Sequence, residues 1–155
     1  MRLVVAAIGR LRPGPEATMV TDYRTRFDGL GRRLGLGPLD LVEIDERKVR
    51  GRPAEAAALA RALPEGLLCA LDEHGRQLAS PDFAALLAKW RDAGRAAAGF
   101  AIGGPDGLDP GLRDRADLVL SLGPMVWPHL LVRVMLTEQL YRAAAILAGT
   151  PYHRT

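Results

Sequence analysis

The sequence predicts a single α/β domain built on a parallel sheet flanked by helices. Short apolar runs alternate with helical stretches along all 155 residues, and no repeat or low-complexity linker divides them. The first run, Leu3 to Ile8, is apolar throughout, as expected for a strand that is covered on both faces. A chain of this length has the size of one domain. Strands that alternate with helices form parallel sheets.

The elements can be placed in order from apolar runs and helix-end signals. Ser80-Pro81 and Asp109-Pro110 each put a capping residue before a proline in the first helical turn. Gly149 and Pro151 end the last helix. The predicted strands cover residues 3–8, 39–44, 67–71, 98–102 and 117–122. The predicted helices cover residues 16–33, 52–63, 81–92, a short stretch from 110, and 128–148.

Composition excludes several classes of protein. The chain is 48% hydrophobic and 25% charged, the balance of a soluble globular domain. Cys69 is the only cysteine, which excludes a disulfide scaffold, and we expect it to be a small buried hydrophobe. No apolar run reaches the ~18 residues of a membrane span. Gly9 and Arg10 interrupt the first apolar run, which favours a strand over a signal peptide and therefore a cytoplasmic protein.

Net charge and histidine spacing constrain the function less than composition does. The net charge of +3 favours polyanionic partners without establishing one. The three histidines, His74, His129 and His153, are far apart in sequence and have no cysteine cluster around them. We therefore predict no metal site.

Three loops are the places to look for chemistry, because ligands of parallel sheets bind beyond the carboxyl ends of the strands. They follow Leu71, Ile102 and Leu122. The second is glycine-rich but lacks the dinucleotide and P-loop fingerprints, so it either admits a ligand or is a tight turn. The third, residues 121–129, is apolar with two prolines. Its backbone groups and apolar wall suit an adenine ring, and a buried connection is the alternative.

The last helix and the tail carry the remaining candidates. Apolar residues occur nearly all round the helix, which indicates burial on several sides or against a second chain, as in a twofold dimer. Glu138 and Arg142 have the spacing of a helical ion pair, which is either functional or a plain surface pair. Tyr152, His153 and Arg154 could stack on a base and hold a phosphate, although many tails are simply frayed.

Taken together, these segments resemble the RlmH family, the ribosomal RNA large subunit methyltransferase H enzymes of the SPOUT class. The resemblance covers the full length, and the ordered set of motifs is more specific than any one of them. The matching residues are Leu71-Asp72 with Gly75, Ile102 to Leu108, Leu120 to Leu122 with Met125, Pro128-His129, Leu131 to Val134, Glu138 to Ala143, Gly149 and Pro151 to Arg154. The amino-terminal half matches more loosely, through Gly9 to Leu11, Asp22-Tyr23 and Arg26-Phe27.

The resemblance implies a fold, a cofactor and a substrate. The fold is α/β with a C-terminal trefoil knot, and the enzyme is a homodimer that uses S-adenosylmethionine. The acceptor is N3 of a pseudouridine in large-subunit (23S) rRNA, modified on the assembled ribosome. Carried over to this chain, the cofactor contacts are Leu71, Gly103, Gly104, Gly123, Pro124, Met125, Val126, Trp127 and Pro128. Many relatives have Ser-x-Met-Thr-Phe at 123–127, so Val126 lacks a hydroxyl that they carry.

The reaction that the resemblance implies suggests roles for several polar residues, which we state as hypotheses. The acceptor N3 must lose a proton, and Glu138, His129 and His153 are the candidate general bases. Glu138 is favoured, with Arg142 holding the RNA or steadying the carboxylate, while His129 could instead be a helix-start residue. The tail, Tyr152 to Arg154, is expected to cross to the partner subunit and grip the target nucleotide.

Two other classes of function stay open from the sequence. A non-catalytic RNA-binding module with this fold would bind RNA but not S-adenosylmethionine. A nucleotide-binding regulatory domain would use the Gly103-Gly104 loop without RNA, and the missing phosphate-binding signature disfavours it.

Overall fold

Five parallel strands form the sheet of the computed structural model, which describes residues 1–154. The strands are Arg2–Ile8 (β1), Leu39–Ile44 (β2), Leu67–Gln77 (β3), Ala97–Ile102 (β4) and Leu118–Ser121 (β5). Their order in the sheet is β2-β1-β4-β3-β5, and every neighbouring pair is parallel. The helices are Pro15–Gly31 (α1), Arg52–Ala62 (α2), Ser80–Asp92 (α3), Pro110–Asp114 (α4) and His129–Leu147 (α5), with a 3-10 turn at Arg32–Leu34. The predicted α/β class is confirmed.

Each face of the sheet has its own core. On one face, Phe27 of α1, Phe83 of α3 and Leu140 of α5 pack around Phe100 of β4. On the other face, Leu59 of α2 belongs to a smaller cluster with residues of α4. Strand β1 supplies alternate residues to the two clusters, which is why it is apolar throughout.

The last helix is buried as its sequence predicts. Helix α5 packs against α1 and α3, and its fully buried residues include Leu136 and Leu140. Cys69 is also fully buried, and burial raises the pKa of its thiol, so it is the small core residue expected. No helix within residues 1–154 is long and apolar enough to cross a membrane.

One of the two predicted helix caps is confirmed and the other is wrong. The Asp109 carboxylate accepts a hydrogen bond from the Gly111 amide at 2.8 Å, which caps α4. Ser80 is instead the first residue of α3, and the helix has no side-chain cap. The Ser80 hydroxyl donates to Gln139 on α5, 59 residues away, at 2.7 Å.

The predicted end of the third strand at Leu71 is also wrong. Strand β3 continues to Gln77 after a shift of register, because Leu71 and Arg76 both pair with Leu120 of β5. The residues between them bulge out of the ladder. Gly75 makes this possible: a Cβ there would stand 2.7 Å from the carbonyl oxygen of Val119. The predicted first loop is therefore a bulge inside a strand.

Candidate functional site

The three loops singled out by sequence meet in one cleft at the carboxyl ends of β3, β4 and β5. We call it the loop cleft, and its volume is about 400 Å³. Seven of the nine residues predicted to contact the cofactor line it: Leu71, Gly103, Gly104, Gly123, Met125, Val126 and Trp127. Pro124 and Pro128 are absent from the lining, although they lie in the third loop. His129, at the first position of α5, also lines the cleft.

Packing within the second loop explains its two adjacent glycines. A Cβ on Gly103 would stand 2.7 Å from the backbone carbon of Gly107 across the turn. A Cβ on Gly104 would stand 3.3 Å from Ile8 and 3.4 Å from the Glu55 carboxylate oxygens. The space above both glycines is thus filled by the protein itself. The second loop is therefore a tight turn, and its backbone still lines the cleft.

The third loop presents apolar side chains to solvent. Met125 is 68% exposed, Val126 79% and Trp127 39%. An exposed apolar patch of this kind marks a binding surface for a ligand or a partner. The buried Ser121 hydroxyl fixes the start of the loop, because it lies 2.9 Å from the Gly123 carbonyl oxygen and 3.1 Å from that of Glu73. Ser121 therefore ties the third loop to the β3 bulge, a role that sequence reasoning did not assign.

Three carboxylates also line the loop cleft, those of Asp72, Glu73 and Asp106. Burial raises the pKa of Asp72, but hydrogen bonds from His74 and Arg113 outweigh burial and bring the pKa below its ordinary value. The His74 amide donates to Asp72 at 2.9 Å and Arg113 at 3.3 Å. Asp72 is consequently ionised at neutral pH and forms an ion pair with Arg113, which also lines the cleft.

His129 is a neutral group that also lines the loop cleft. Burial lowers its pKa, and the nearby positive charge of Arg133 lowers it further. Arg133 itself is buried, where it donates to the Ile8 carbonyl and lies 3.3 Å from the Glu43 carboxylate. The imidazole of His129 is therefore uncharged at neutral pH and is able to accept a proton.

A second cleft lies between α1, the start of α3 and α5, and we call it the helix cleft. Its volume is about 460 Å³, and Glu138 lines it. The two clefts share Leu120, Leu122 and Gly123 as a common wall. His129 and Glu138 are nine residues apart on α5, which separates them by about 14 Å along the helix axis. The sequence did not predict this division of the candidate bases between two clefts.

Both oxygens of the Glu138 carboxylate are held by hydrogen bonds. Oε1 accepts from Arg142 Nη2 at 2.6 Å, from Arg142 Nε at 3.0 Å and from the Tyr152 hydroxyl at 2.9 Å. Oε2 accepts from Gln139 Nε2 at 2.8 Å. The predicted Glu138–Arg142 ion pair is confirmed, with side chains only 15% and 25% exposed. It is a partly buried network rather than a plain surface pair.

The tail folds back onto α5 of the same chain. The Tyr152 ring centroid lies 4.5 Å from that of Tyr141 and 4.8 Å from the Arg142 guanidinium carbon. Burial and the Glu138 carboxylate raise the pKa of the Tyr152 hydroxyl, which therefore stays protonated as a donor. His153 Nδ1 is 3.3 Å from Arg142 Nη1, and Arg154 is exposed. Glu138, Arg142, Tyr152 and His153 are thus one cluster.

No metal-ligand cluster accompanies these clefts: within residues 1–154, no three histidine, cysteine, aspartate or glutamate side chains are grouped to hold an ion.

Comparison with known proteins gives a consistent picture over the whole chain. A family model described as "Predicted SPOUT methyltransferase" matches residues 1–153. A protein of Ruegeria pomeroyi named ribosomal RNA large subunit methyltransferase H is 61% identical over 155 residues, covering 99% of each chain. Proteins of the same name from Cereibacter sphaeroides and Paracoccus denitrificans are 63% and 60% identical with the same coverage.

The solved structures are more distant. The SpoU methyltransferase AviRb from Streptomyces viridochromogenes, in complex with AdoMet, is 20% identical with a TM-score of 0.45. The alignment covers 96% of this chain and 59% of that one. This similarity is too distant to support an inference about the site.

Proposed function

The chain belongs to the SPOUT methyltransferase family and, within it, to the RlmH group, and we propose that it methylates large-subunit rRNA with S-adenosylmethionine as the donor. The observation that carries the proposal is the loop cleft. Three loops far apart in sequence build it, and they are the segments on which the family resemblance rests. The identity of about 60% to the named relatives over the whole chain supports the same assignment.

The loop cleft fits S-adenosylmethionine in size and chemistry. A volume of about 400 Å³ falls within the usual range for small-molecule sites. Met125, Val126 and Trp127 offer an apolar surface for the adenine ring, and the adjoining backbone offers amides and carbonyls for its edge. The lining carries the carboxylates of Asp72, Glu73 and Asp106 against the guanidinium groups of Arg52 and Arg113, so its formal charge favours a cationic ligand, and the carboxylates can accept from ribose hydroxyls. When bound, the cofactor supplies an electrophilic methyl group on a sulfonium.

The substrate that we propose is N3 of a pseudouridine in 23S rRNA on the assembled ribosome. Methylation forms the N3–CH3 bond and breaks the donor S–CH3 bond, and the imide proton of N3 must go to a base. We assign that base to Glu138, whose carboxylate lines the helix cleft beside the wall shared with the loop cleft. Arg142 holds the ionised carboxylate in place from the other side.

His129 and His153 are the other candidate bases, and the geometry favours neither. His129 lies on the loop cleft, about 14 Å along α5 from Glu138. The ring of His153 faces the Arg142 guanidinium, which requires an acceptor nitrogen at Nδ1. We therefore propose His129 as a cofactor-cleft residue and His153 as part of the RNA-gripping tail.

We further propose a cytoplasmic homodimer in which Tyr152, His153 and Arg154, packed on α5 of their own chain, grip the target nucleotide and present it across the subunit boundary to the partner's loop cleft. Two exposed apolar side chains, Met19 of α1 and Leu131 of α5, support burial against a partner, and Met19 also lines the helix cleft. The trefoil knot belongs to the same proposal. Its support is membership of the SPOUT family, because the family resemblance implies a C-terminal knot.

Two measurements made together test the proposed function. Calorimetric titration should show S-adenosylmethionine binding to the free protein, and methyl-labelled cofactor should transfer label to large-subunit rRNA but not to small-subunit rRNA. RNA binding with steep salt dependence but no cofactor binding would instead establish the non-catalytic RNA-binding module. Cofactor binding without any label transfer to ribosomes, subunits or free rRNA would refute the proposed acceptor.

A further inference from the structure

A hydrogen-bonded chain runs from the start of α3 to the Glu138 carboxylate. The Ser80 hydroxyl donates to Gln139 Oε1 at 2.7 Å, and Gln139 Nε2 donates to Glu138 Oε2 at 2.8 Å. All three side chains line the helix cleft and are partly buried. Ser80 gives up the capping role that its sequence position predicts, since α3 has no side-chain cap.

The direction of every hydrogen bond in this chain is fixed by chemistry. An ionised carboxylate only accepts, so Gln139 must turn its NH2 group toward Glu138. Its carbonyl oxygen then faces Ser80, which must donate. Without the Ser80 hydroxyl, Glu138 would be the only side chain among the described residues that holds the Gln139 amide, and the carbonyl end would be unanchored. A flipped amide would set its carbonyl oxygen against the carboxylate, which is repulsive.

The two carboxylate oxygens are held by different partners. Oε1 is saturated by Arg142 and Tyr152, which lie on the tail side. Within residues 1–154, Oε2 accepts only the hydrogen bond from Gln139, so it retains an acceptor site for a proton. Gln139 therefore holds the oxygen that is free to react.

We propose that Gln139 and, acting through it, Ser80 are positioning residues that aim Glu138 Oε2 into the helix cleft, where the imide edge of the target nucleobase is deprotonated. The inference rests on the proposed function and deepens it by placing the acceptor base in the helix cleft. Neither residue lines the loop cleft, so neither contributes to cofactor affinity.

The test compares single and double variants in steady-state methylation of ribosomes that lack the modification. Ser80→Ala should lower kcat about 10-fold and Gln139→Met about 10- to 100-fold, because misplacing a reacting group by about 1 Å costs up to about 10². KM for ribosomes and Kd for S-adenosylmethionine should stay within about twofold of the wild type. Ser80→Thr keeps the hydroxyl and should restore most of kcat.

The double variant distinguishes a hydrogen-bonded chain, in which Ser80 acts through Gln139, from two independent effects on kcat. If Ser80 acts through Gln139, the double variant should be no slower than Gln139→Met alone. Thr21→Ala is the matched control, since its exposed hydroxyl bonds only to the Ala17 carbonyl of its own helix, and its kcat should equal that of the wild type. Melting temperatures of all variants show whether each is folded.

Three results would overturn the inference while the wild type is active. They are an unchanged kcat in Ser80→Ala, multiplied losses in the double variant, and a folded Ser80→Thr that is as slow as Ser80→Ala. An inactive wild type would instead refute the proposed function, so the two failures are distinguishable.

Discussion

At the scale of single residues, Glu138 is the side chain on which the proposed chemistry depends. Its carboxylate lines the helix cleft and is fixed by Arg142, Tyr152 and Gln139. A base held by so many donors is preorganised rather than flexible. In the proposed reaction, Glu138 raises the rate by taking a proton from the substrate. That ability depends on the charge of its carboxylate and not on the size of the side chain.

Replacing Glu138 by Gln should therefore remove the base while keeping the size of the side chain. We expect kcat for rRNA methylation to fall by about 10²–10⁴, the usual contribution of a general base. The affinity for S-adenosylmethionine, measured by calorimetry, should not change. Glu65→Gln, at an exposed position outside both clefts, is the control. A Glu138→Gln enzyme with wild-type kcat would show that another group, or water, takes the proton.

Arg154 represents the tail, which we propose grips the RNA. It is exposed, whereas Tyr152 and His153 are packed on α5. Arg154→Ala should weaken ribosome binding and reduce the slope of log K against log salt by about 1, the effect of losing one phosphate contact. Cofactor affinity should be unaltered.

Arg95→Ala is the matched control for that prediction, because Arg95 is exposed just before β4, at the opposite end of the sheet. Equal loss of cofactor and ribosome affinity in Arg154→Ala would contradict the division of roles between tail and loops.

At the scale of elements, the turn after β2 makes the stability of the fold pH-dependent. Asp45 is buried, and its carboxylate accepts from Arg47 Nη2 at 2.8 Å and from Arg47 Nε at 2.9 Å. These hydrogen bonds hold the pKa of Asp45 well below its ordinary value. The unfolded chain binds this proton at about pH 3.9, so folding is favoured above that pH. The stabilisation is lost as the pH falls from there toward the lower folded pKa.

Asp45→Asn should remove that contribution. We expect the variant to have a lower free energy of unfolding at pH 7 and a shallower loss of stability below about pH 4. Urea denaturation of both proteins at a series of pH values between 2 and 7 measures this. Two curves that run parallel over the whole range would show that Asp45 does not contribute as described.

The β3 bulge is the segment predicted as the first loop, and Gly75 allows it to lie against β5. Gly75→Ala would drive a Cβ into the backbone of Val119 and Leu120, at 2.7–2.8 Å. We expect a loss of about 1–3 kcal/mol in the free energy of unfolding, as for other overpacked sites, together with weaker cofactor binding. Gly29→Ala is the control, since nothing lies within 4 Å of a Cβ there, and in α1 it should stabilise by up to about 1 kcal/mol. If Gly75→Ala left the free energy of unfolding and cofactor binding unchanged, β3 and β5 would be able to move apart at that point without destabilising the protein.

The elements also show how far the sequence could be used to predict the structure. Buried parallel strands are continuous apolar runs, so β1 and β4 were found nearly to the residue. The β3 extension was missed because its residues are polar and pair only with β5, about 45 positions later. Ser80 was misassigned as a cap because its true partner, Gln139, is 59 residues away. Local signals cannot reveal such distant partners.

At the scale of the whole molecule, the two clefts and their common wall form one arrangement. The sheet rule located the loop cleft from sequence, because it depends only on where parallel strands end. The helix cleft could not be found in that way, since it arises where α1, α3 and α5 pack together. The shared residues Leu120, Leu122 and Gly123 place the proposed cofactor cleft beside the helix cleft, which Glu138 lines.

The central claim is that this arrangement carries a methyl group from the loop cleft to a single nucleotide of large-subunit rRNA. The most direct test incubates the protein and methyl-labelled S-adenosylmethionine with ribosomes from a strain that lacks the corresponding gene. Mass spectrometry of rRNA digests then locates the label. We predict label at N3 of one pseudouridine in 23S rRNA. Label at another position would contradict the assigned acceptor, and no label on ribosomes, subunits or free rRNA would contradict the enzymatic function itself.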